Sequence, residues 1–208
     1  YHRGGLSHPG FRPILAPCRK RESPVQTLRN QFLIAMPQLE GSLFAQSLIF
    51  LCEHSAQGAM GLIVNRPLPM QLGEILDQLQ IDSHAGPARE APLYFGGPVQ
   101  SEQGFILHRG PARYLSSLQV SDEVVLCTSR DALEAIGAND GPADYLVALG
   151  YAGWSEGQLE QELADNAWLT VPATTDLLFT AEPSRRAAAA AATLGINLSL
   201  LHAQPGHA

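Results

Sequence analysis

The sequence predicts a single compact domain of the α+β class (mixed α/β), with a mainly antiparallel sheet flanked by helices. Many of its apolar runs are short, as strands are. Early runs are joined by short connections containing glycine, whereas helical patterns separate the later ones. The 208 residues, 45% hydrophobic and 16% charged, suffice for one large domain with a real core.

The first part of the domain is predicted to consist of strands and one helix. Apolar runs indicate strands at Gln31–Pro37, Ser47–His54 and Ala59–Asn65. Residues 38–46 are expected to form a loop or one helical turn, and residues 55–58 a hairpin connection. Pro67 ends the third strand, since proline cannot donate to a sheet ladder. Leucine and isoleucine at helical spacing then predict a helix over Gln71–Gln80.

A polar loop over Asp82–Pro92 is expected next. It is followed by predicted strands at Leu93–Phe95, Gly104–Arg109, Ser117–Val120 and Val124–Thr128. Thr128–Gly137 is predicted to be a helix, with Ser129 as its N-cap. A turn over Asn139–Pro142 leads into a strand over Asp144–Ala152.

The last part begins with a turn at Gly153 and Gly157 and an acidic helix that Ser155 and Gln158 would start as a capping box. A strand is predicted at Ala167–Val171, and helices at Asp176–Phe179 and Ser184–Thr193. Gly195 fits the C′ position of the second of these helices. The leucines of Asn197–Leu201 are expected to pack back on the domain.

Charge divides the chain into an extension and a domain. Residues 1–30 contain six basic residues and one acidic residue, a net charge of +5, so the rest of the −7 chain carries −12. The first 30 residues are rich in Gly, Pro and Arg, which predicts a flexible basic extension, either unstructured or an arm that contacts nucleic acid or an acidic partner. Residues 31–208 form the predicted domain. A body this acidic repels a phosphate backbone, which disfavours direct DNA binding by residues 31–208.

Several function classes are disfavoured by composition. Lys20 is the only lysine, which excludes a lysine nucleophile or a P-loop lysine in the body. No apolar run approaches the roughly 18 residues of a membrane span. Three cysteines without close spacing and scattered histidines predict no disulfide framework and no metal site, and we expect no cofactor. A reducing cytoplasm is the expected location.

The segment Gly153–Gly157 spells G-x-S-x-G, the nucleophile elbow of α/β-hydrolases. Asp165 or Asp176 as the acid and His202 as the base would complete a triad in the chain order of that fold. Against this, Ser155 fits a helix cap, and His202 lies close to the chain end. The capping interpretation is therefore preferred, and no catalytic residue is predicted.

Three other features allow two interpretations each. Gly96-Gly97 could present backbone N–H groups to an anion near Arg66, although a tight turn is the simpler prediction. Cys127 lies before a predicted helix N-terminus, where a thiolate is stabilised, yet a buried inert thiol is more common. Trp154 and Trp168 flank the acidic helix and could line a groove, with core packing as the default.

Seven ordered segments together resemble the bacterial YqgE/AlgH family: FLIAMP, EHSAQGAMGLIVNRP, FGGPVQ, GFILH, LGYAGW, GQLEQEL and DNAWL. The resemblance extends from about Gln31 to the C-terminus. It implies a compact bacterial cytoplasmic α/β protein without established catalytic residues, and a regulatory role in alginate production was proposed for AlgH in pseudomonads. It also implies other residues, such as Glu or Gly, at the position of Ser155, which disfavours a shared serine mechanism. Motif positions carried over as candidate binding residues are Asn65, Arg66, Gly96, Gly97, Gly153, Trp154, Gln158, Asn166 and Trp168, with Glu162 as a further motif position.

The function predicted from these observations is a non-enzymatic regulatory or protein-binding module, with an indirect role in transcription. Its partner would be a protein or a small molecule. The alternative is a small-molecule hydrolase that uses Ser155 or a pocket around Arg66.

Overall fold

The structure, a computed structural model, describes residues 27–202. Its ten strands form one sheet with the order β10-β1-β2-β3-β9-β6-β8-β7, and β5 lies between β4 and β9 beside this path. The strands are β1 Gln31–Ala35, β2 Leu48–Ser55, β3 Gly58–Ile63, β4 Pro67–Gln71, β5 Pro92–Phe95, β6 Val99–Arg109, β7 Ser117–Gln119, β8 Val124–Cys127, β9 Tyr145–Ser155 and β10 Trp168–Pro172.

Six helices cover the sheet in the described part of the chain. They are α1 Leu72–Gln78, α2 Pro87–Glu90, α3 Arg130–Gly137, α4 Gln158–Ala164, α5 Pro183–Ala192 and α6 Leu198–His202. A 3-10 turn, Pro37–Leu39, follows β1, and a π-helical turn, Asp176–Thr180, precedes α5. All strand pairs are antiparallel except β5 with β9. The α+β prediction with a mainly antiparallel sheet is therefore confirmed.

The long strand β9 organises the sheet, because it pairs with β6 along one side and with both β5 and β3 along the other. At Gly150 the backbone has a φ of 71°, a left-handed conformation that glycine adopts at low cost. Opposite this point the register of β6 shifts between Val99 and Gly104, so residues 100–103 loop out of the ladder.

At this bulge the odd-numbered and even-numbered residues of β9 exchange faces of the sheet. Before it, Ala148 belongs to the main core and Val147 to the core beneath α1 and α3. After it, Tyr151 packs against the main core, while Trp154 belongs to the core beneath α4. In a strand without a bulge, side chains alternate strictly, so Tyr151 would share a face with Val147 and Trp154 would share a face with Ala148.

Both faces of the sheet are therefore covered. The main core, which includes Phe32, Phe50 and Leu107, is covered by α5 and the turn before it. On the opposite face, one cluster packs beneath α4 around Trp154 and Trp168, and another beneath α1 and α3 around Leu76 and Ile136. Burial of apolar surface on this scale is the main source of stability.

Two regular segments lie where none was predicted. The prediction that Pro67 ends the third strand holds, since β3 ends at Ile63, but Pro67 itself begins the edge strand β4. Proline is tolerated there because a strand's first residue need not donate to the ladder. The expected polar loop 82–92 contains the short helix α2, which has Pro87 in its first turn, a position where the missing N–H is not needed.

The sheet curls so that the segment before β1 contacts strand β7, which lies at the far end of the strand order. Arg29 donates through Nε to the Val120 carbonyl and through a terminal nitrogen to the Gln119 carbonyl, both at 2.8 Å. The Leu28 N–H donates to His54 Nδ1 at 3.0 Å. The final residues of the predicted basic extension thus lie against the domain, and residues 1–26 lie outside the described part of the chain. No helix within residues 27–202 is long and apolar enough to cross a membrane.

Candidate functional site

The segment with the G-x-S-x-G pattern lies at the junction of β9 and α4. Its geometry corrects two predictions. Gly153 is not a turn residue, because it lies within β9 and pairs with Met60 of β3. Ser155 is not the N-cap of α4, since it is the last residue of β9 and the N-cap is Gly157, with a φ of 71°. Glycine adopts this positive φ at low cost, and the helix starts two residues later than predicted.

Half of the predicted capping box is nevertheless present. The Gln158 side-chain oxygen accepts from both the backbone N–H and the hydroxyl of Ser155, each at 3.1 Å. The other half of the box would be a bond donated by a helix N–H to the Ser155 hydroxyl, which here donates to Gln158 instead. Ser155 thus fixes the entry into α4 as a donor.

Glu162 is the centre of a polar cluster at this junction. Its Oε2 accepts from the indole N–H of Trp154 at 2.9 Å and of Trp168 at 2.7 Å. Its Oε1 accepts from the Gln158 amide at 2.9 Å. The two indole rings form an edge-to-face pair with centroids 5.9 Å apart, and both are buried. These contacts hold α4 against the sheet, so Trp154 and Trp168 pack in the core as the default interpretation expected.

Ser155 and the two candidate acids of the triad contact different partners and not one another. The Ser155 hydroxyl donates to Gln158, whereas Asp165 accepts from the Gln161 amide at 3.1 Å. Asp176, exposed in the π-helical turn, lies 3.9 Å from an Arg109 nitrogen. A nucleophilic serine needs its hydroxyl aimed at a base. These hydrogen bonds therefore give the hydrolase interpretation no support.

Asn65 and Arg66 hold the loop between β1 and β2. Asn65 accepts from the Leu48 N–H at 2.8 Å and donates to the Gln46 carbonyl at 3.0 Å. Arg66 donates to the carbonyls of Leu43 and Ala45 at 2.8 and 3.1 Å, and its guanidinium lies 5.7 Å from the Phe95 ring centroid. Both residues border a cavity of about 510 Å³ beside α5 and α6. Since its donors face backbone carbonyls, the Arg66 guanidinium is oriented as a clamp on the loop.

Gly96 and Gly97 allow β5 to approach β9 closely. A Cβ at Gly96 would lie 2.2 Å from the Gly150 carbonyl oxygen, and one at Gly97 would lie 2.1 Å from the Tyr151 carbonyl carbon. The Gly96 N–H donates to the Leu149 carbonyl at 2.8 Å. That donor is therefore used within the sheet. This contact fits the simpler prediction of a structural turn better than an anion nest.

The candidate binding residues do not line a single pocket. Asn65 and Arg66 border the cavity beside α5, while Gly96 and Gly97 lie at the contact of β5 with β9. Gln158 and Trp168 belong to the Glu162 cluster, and Asn166 follows α4 with a φ of 56°. Gly153 and Trp154 also border an open groove that the other seven candidates do not line. A binding role for these residues stays a prediction.

This groove, here called the mouth groove, has a volume of about 590 Å³ and lies where the main core reaches the surface. Its apolar lining includes Met60, Phe105, Leu118, Leu126 and Tyr151. Polar residues at its border are Glu53, Ser55, Gln57 and Gln100. Phe105 and Leu126 are buried members of the main core, while Leu118 on the short strand β7 is 36% exposed.

Sequence reasoning missed this groove because its residues look ordinary one by one. The signal that could have found it is Leu118, a leucine in a short run bordered by polar residues, together with Val99 directly after the Gly96-Gly97-Pro98 turn. Both are more than one-third exposed, with values of 36% and 37%. Only the curl of the sheet brings them to the same opening as Met60.

Several titratable groups near the cores are buried or engaged in structural contacts, while the buried His108 Nε2 has no hydrogen-bond partner among the described residues. His54 Nδ1 accepts from Leu28, so in the neutral ring Nε2 carries the proton and donates to Glu160 at 2.8 Å. Burial lowers the pKa of His108 and raises the pKa of the Cys52 thiol well above its ordinary value. Cys127 is buried too, with its sulfur 3.1 Å from the Ser129 hydroxyl. Among residues 27–202, no group of three or more His, Cys, Asp or Glu side chains is arranged to hold a metal ion.

Comparisons with known proteins agree with one another over most of the chain. The model of the DUF179 family, described as AlgH-like, matches residues 32–199. A UPF0301 protein of Thioalkalivibrio sulfidiphilus is 53% identical over 179 residues, which cover 86% of this chain and 96% of the relative. The UPF0301 protein AlgH of Pseudomonas aeruginosa is 51% identical over 191 residues, which cover 91% of this chain and all of the relative.

Two solved structures have the same fold. The solution structure of AlgH from Pseudomonas aeruginosa has a TM-score of 0.74 and 50% identity, and the match covers 91% of this chain and 100% of that chain. The crystal structure of a Corynebacterium diphtheriae protein has a TM-score of 0.65 at 19% identity, covering 84% and 91% of the two chains. The second likeness concerns the fold alone. With the ordered segments described above, these matches show that the chain belongs to the AlgH-like family, also designated UPF0301.

Proposed function

We propose that this chain is a non-enzymatic binding module of the cytoplasm that acts in regulation by direct contact with another protein. The observation that carries the proposal is the mouth groove, an apolar opening of about 590 Å³ that continues into the main core. Apolar surface that reaches the exterior in this way is a common sign of a docking site. Leu118 of β7 is the part of this lining that reaches the exterior on the edge strand.

The occupant we infer is an extended segment of a partner protein. Strand β7 ends the strand order of the sheet and borders the groove through Leu118. Bonds from Thr128 to Ser116 and from Val120 to Val124 join β7 to β8, so Ser117 and Gln119 direct their backbone groups away from β8. Arg29 binds the Gln119 carbonyl, which leaves both backbone groups of Ser117 facing the free edge. An added strand can pair there and place a side chain in the groove.

Charge favours a cationic segment. Glu53 is the charged residue that lines the groove, and the domain over residues 31–208 carries a net charge of −12. Alternating apolar and basic residues would therefore match both the groove and its surroundings.

The regulatory role rests on the resemblance to the AlgH family described in the sequence analysis and is taken to be indirect. An acidic domain repels DNA, so we expect no sequence-specific DNA complex at physiological salt. A gel-shift titration with the full chain tests this expectation. A sequence-specific shift would overturn the indirect role.

The groove is tested with two fluorescein-labelled nine-residue peptides of alternating valine with lysine or with glutamate. Fluorescence anisotropy with the full chain should show binding of the Val-Lys peptide and at least tenfold weaker binding of the Val-Glu peptide. Leu118→Asp should weaken the Val-Lys complex at least tenfold, because it places a desolvated carboxylate against the apolar lining. Amide shifts in an NMR titration should lie in β7 and around Met60.

Leu200→Asp is the matched control, since Leu200 is 67% exposed and lies on α6 away from the groove lining. It should leave peptide affinity unchanged. Equal affinity for both peptides, or equal loss in both variants, would mean that binding is unspecific and would sink the groove as a protein-docking site.

A further inference from the structure

A second pocket, here called the helix-side pocket, lies on the sheet face opposite the main core. Its volume is about 660 Å³, and its floor is formed by Val147 and Leu149 of β9. Apolar walls come from Met70 of β4 and from the helices α1 and α3, which contribute Ile75, Leu79 and Leu133. Pockets of about 300–1,000 Å³ with mainly apolar walls are typical of small-molecule sites.

The looped-out residues of β6 form the remaining wall. Ser101, Glu102 and Gln103 border the pocket together with Gly104, at the place where the ladder between β6 and β9 is interrupted. Bulges of this kind redirect side chains next to binding sites. The helix-side pocket and the mouth groove share no lining residue.

The charges around the helix-side pocket disfavour an anion. Arg130 is its cationic residue, and its guanidinium is held by Glu134 at 2.8 Å and by the carbonyls of Leu79 and Gln80 at 3.0 and 3.3 Å. Those carbonyls end α1, where the helix dipole is negative and a cation is stabilised. Glu102 adds a negative charge at the border and would repel an incoming anion. Arg130 could not compensate for this repulsion, because its guanidinium is already paired.

Neutral polar groups complete the lining. The side chains of Gln78, Gln103 and Thr128 are exposed at the pocket and offer amide and hydroxyl groups for hydrogen bonds. We propose that the helix-side pocket binds an uncharged, mainly apolar small molecule of about the size of two or three rings, held by its apolar walls and oriented by one or two hydrogen bonds. This site is independent of the peptide-binding function inferred above.

Two dyes that differ by one charged group test the proposal. N-phenyl-1-naphthylamine is uncharged and fluoresces in apolar surroundings, and 8-anilino-1-naphthalenesulfonate has the same rings with an added sulfonate. Titration of the full chain should give a saturable fluorescence increase with the uncharged dye at one site per chain. The sulfonate should bind at least tenfold more weakly.

Gly104 provides a substitution that fills the pocket. A Cβ at this position meets no atom within 4 Å, so Gly104→Phe can place its ring in the open space. It should weaken binding of the uncharged dye at least tenfold, while Gly104→Ala should retain binding. Leu79→Glu, at a wall residue 42% exposed, gives the same test if the phenylalanine variant does not fold.

Leu118→Asp in the mouth groove serves as the control and should leave dye affinity unchanged. Binding that persists in Gly104→Phe or Leu79→Glu and is lost in Leu118→Asp would place the dye in the groove and overturn the proposal. Equal affinity for the two dyes, or no saturable binding of the uncharged one, would overturn it as well. None of these outcomes depends on the peptide result, so the two proposals can fail separately.

Discussion

Glu162 provides a sharp test of the structure because one carboxylate joins α4 to both tryptophans. In Glu162→Ala the two buried indole donors lose their acceptor, and each unsatisfied donor costs about 1–3 kcal/mol. Water can reach the half-buried carboxylate position and replace part of the lost bonding. We therefore expect Glu162→Ala to lower the free energy of unfolding by about 3 kcal/mol, and Glu162→Gln, which keeps one acceptor oxygen, by about 1 kcal/mol.

The assay uses the fact that Trp154 and Trp168 are the two tryptophans of the chain, so tryptophan fluorescence reports on this corner. For urea unfolding with an m value of about 2 kcal/mol/M, a loss of 3 kcal/mol moves the midpoint by about 1.5 M. Near-ultraviolet circular dichroism should also weaken, because the edge-to-face ring pair loses its common anchor.

The matched control is Glu156→Ala, which removes the same charge from an exposed position just before α4. An exposed substitution of this kind changes stability by less than about 0.5 kcal/mol. If Glu162→Ala also changes the free energy of unfolding by less than about 0.5 kcal/mol, the Glu162 carboxylate does not hold α4 against the two tryptophans, and the reasoning is refuted.

Three further predictions concern the sheet contact, an ion pair and a loop. Gly97→Ala should destabilise the protein by more than about 3 kcal/mol in thermal unfolding, because its Cβ would meet β9 at 2.1 Å, whereas Gly104→Ala should stay within about 1 kcal/mol. Arg89 lowers the pKa of Asp77 from its ordinary 3.8 through a two-bond contact, so the pair should stabilise the fold above that pH and lose its effect as the pH falls through the lowered pKa. The stability difference between wild type and Asp77→Asn in urea should accordingly be present at pH 7 and shrink as the pH falls below 3.8 through the lowered pKa. Arg66→Lys should speed chymotrypsin cleavage of loop 38–46 about tenfold, since lysine cannot reproduce the fork to two carbonyls.

Each of these has an outcome that contradicts it. Equal melting temperatures for the two glycine variants would show that β5 and β9 do not approach as described. A difference between wild type and Asp77→Asn that is constant from pH 7 to pH 2 would remove the ion pair as its cause. Cleavage in Arg66→Lys no faster than in Arg185→Lys, an exposed control on α5, would mean that Arg66 does not clamp the loop.

The strands of the sheet were predictable where a continuous apolar run is buried. The apolar run of β2 and the hairpin to β3 were located correctly, because their side-chain pattern and the glycine of the turn act locally. Strand β4 was missed because its burial alternates between exposed and half-buried residues and it contains two prolines. It forms only because β5 lies beside it, a contact that sequence periodicity does not contain.

The start of α4 shows a different limit of prediction from local sequence. Ser155 and Gln158 have the spacing of a capping box, and the bond between them does form. Whether Ser155 or Gly157 becomes the N-cap depends on where β9 stops, and β9 continues because β3 pairs with it as far as Ser155. Tertiary pairing thus decided between two local solutions of similar energy.

The segments that mark the family contain both structural contacts and most of the mouth-groove lining. Gly97, Arg66 and Glu162 are used in a close strand contact, a loop clamp and a helix anchor, so a chain that keeps them keeps the fold. Leu118 and Gly104, by contrast, border open space, and their substitution changes what can bind without disturbing those contacts. Similarity in the motif segments therefore carries information about the architecture and about much of the groove lining, while Leu118 lies outside those segments. It follows that a variant at Leu118, with the motif segments left intact, is the one that separates peptide binding from folding.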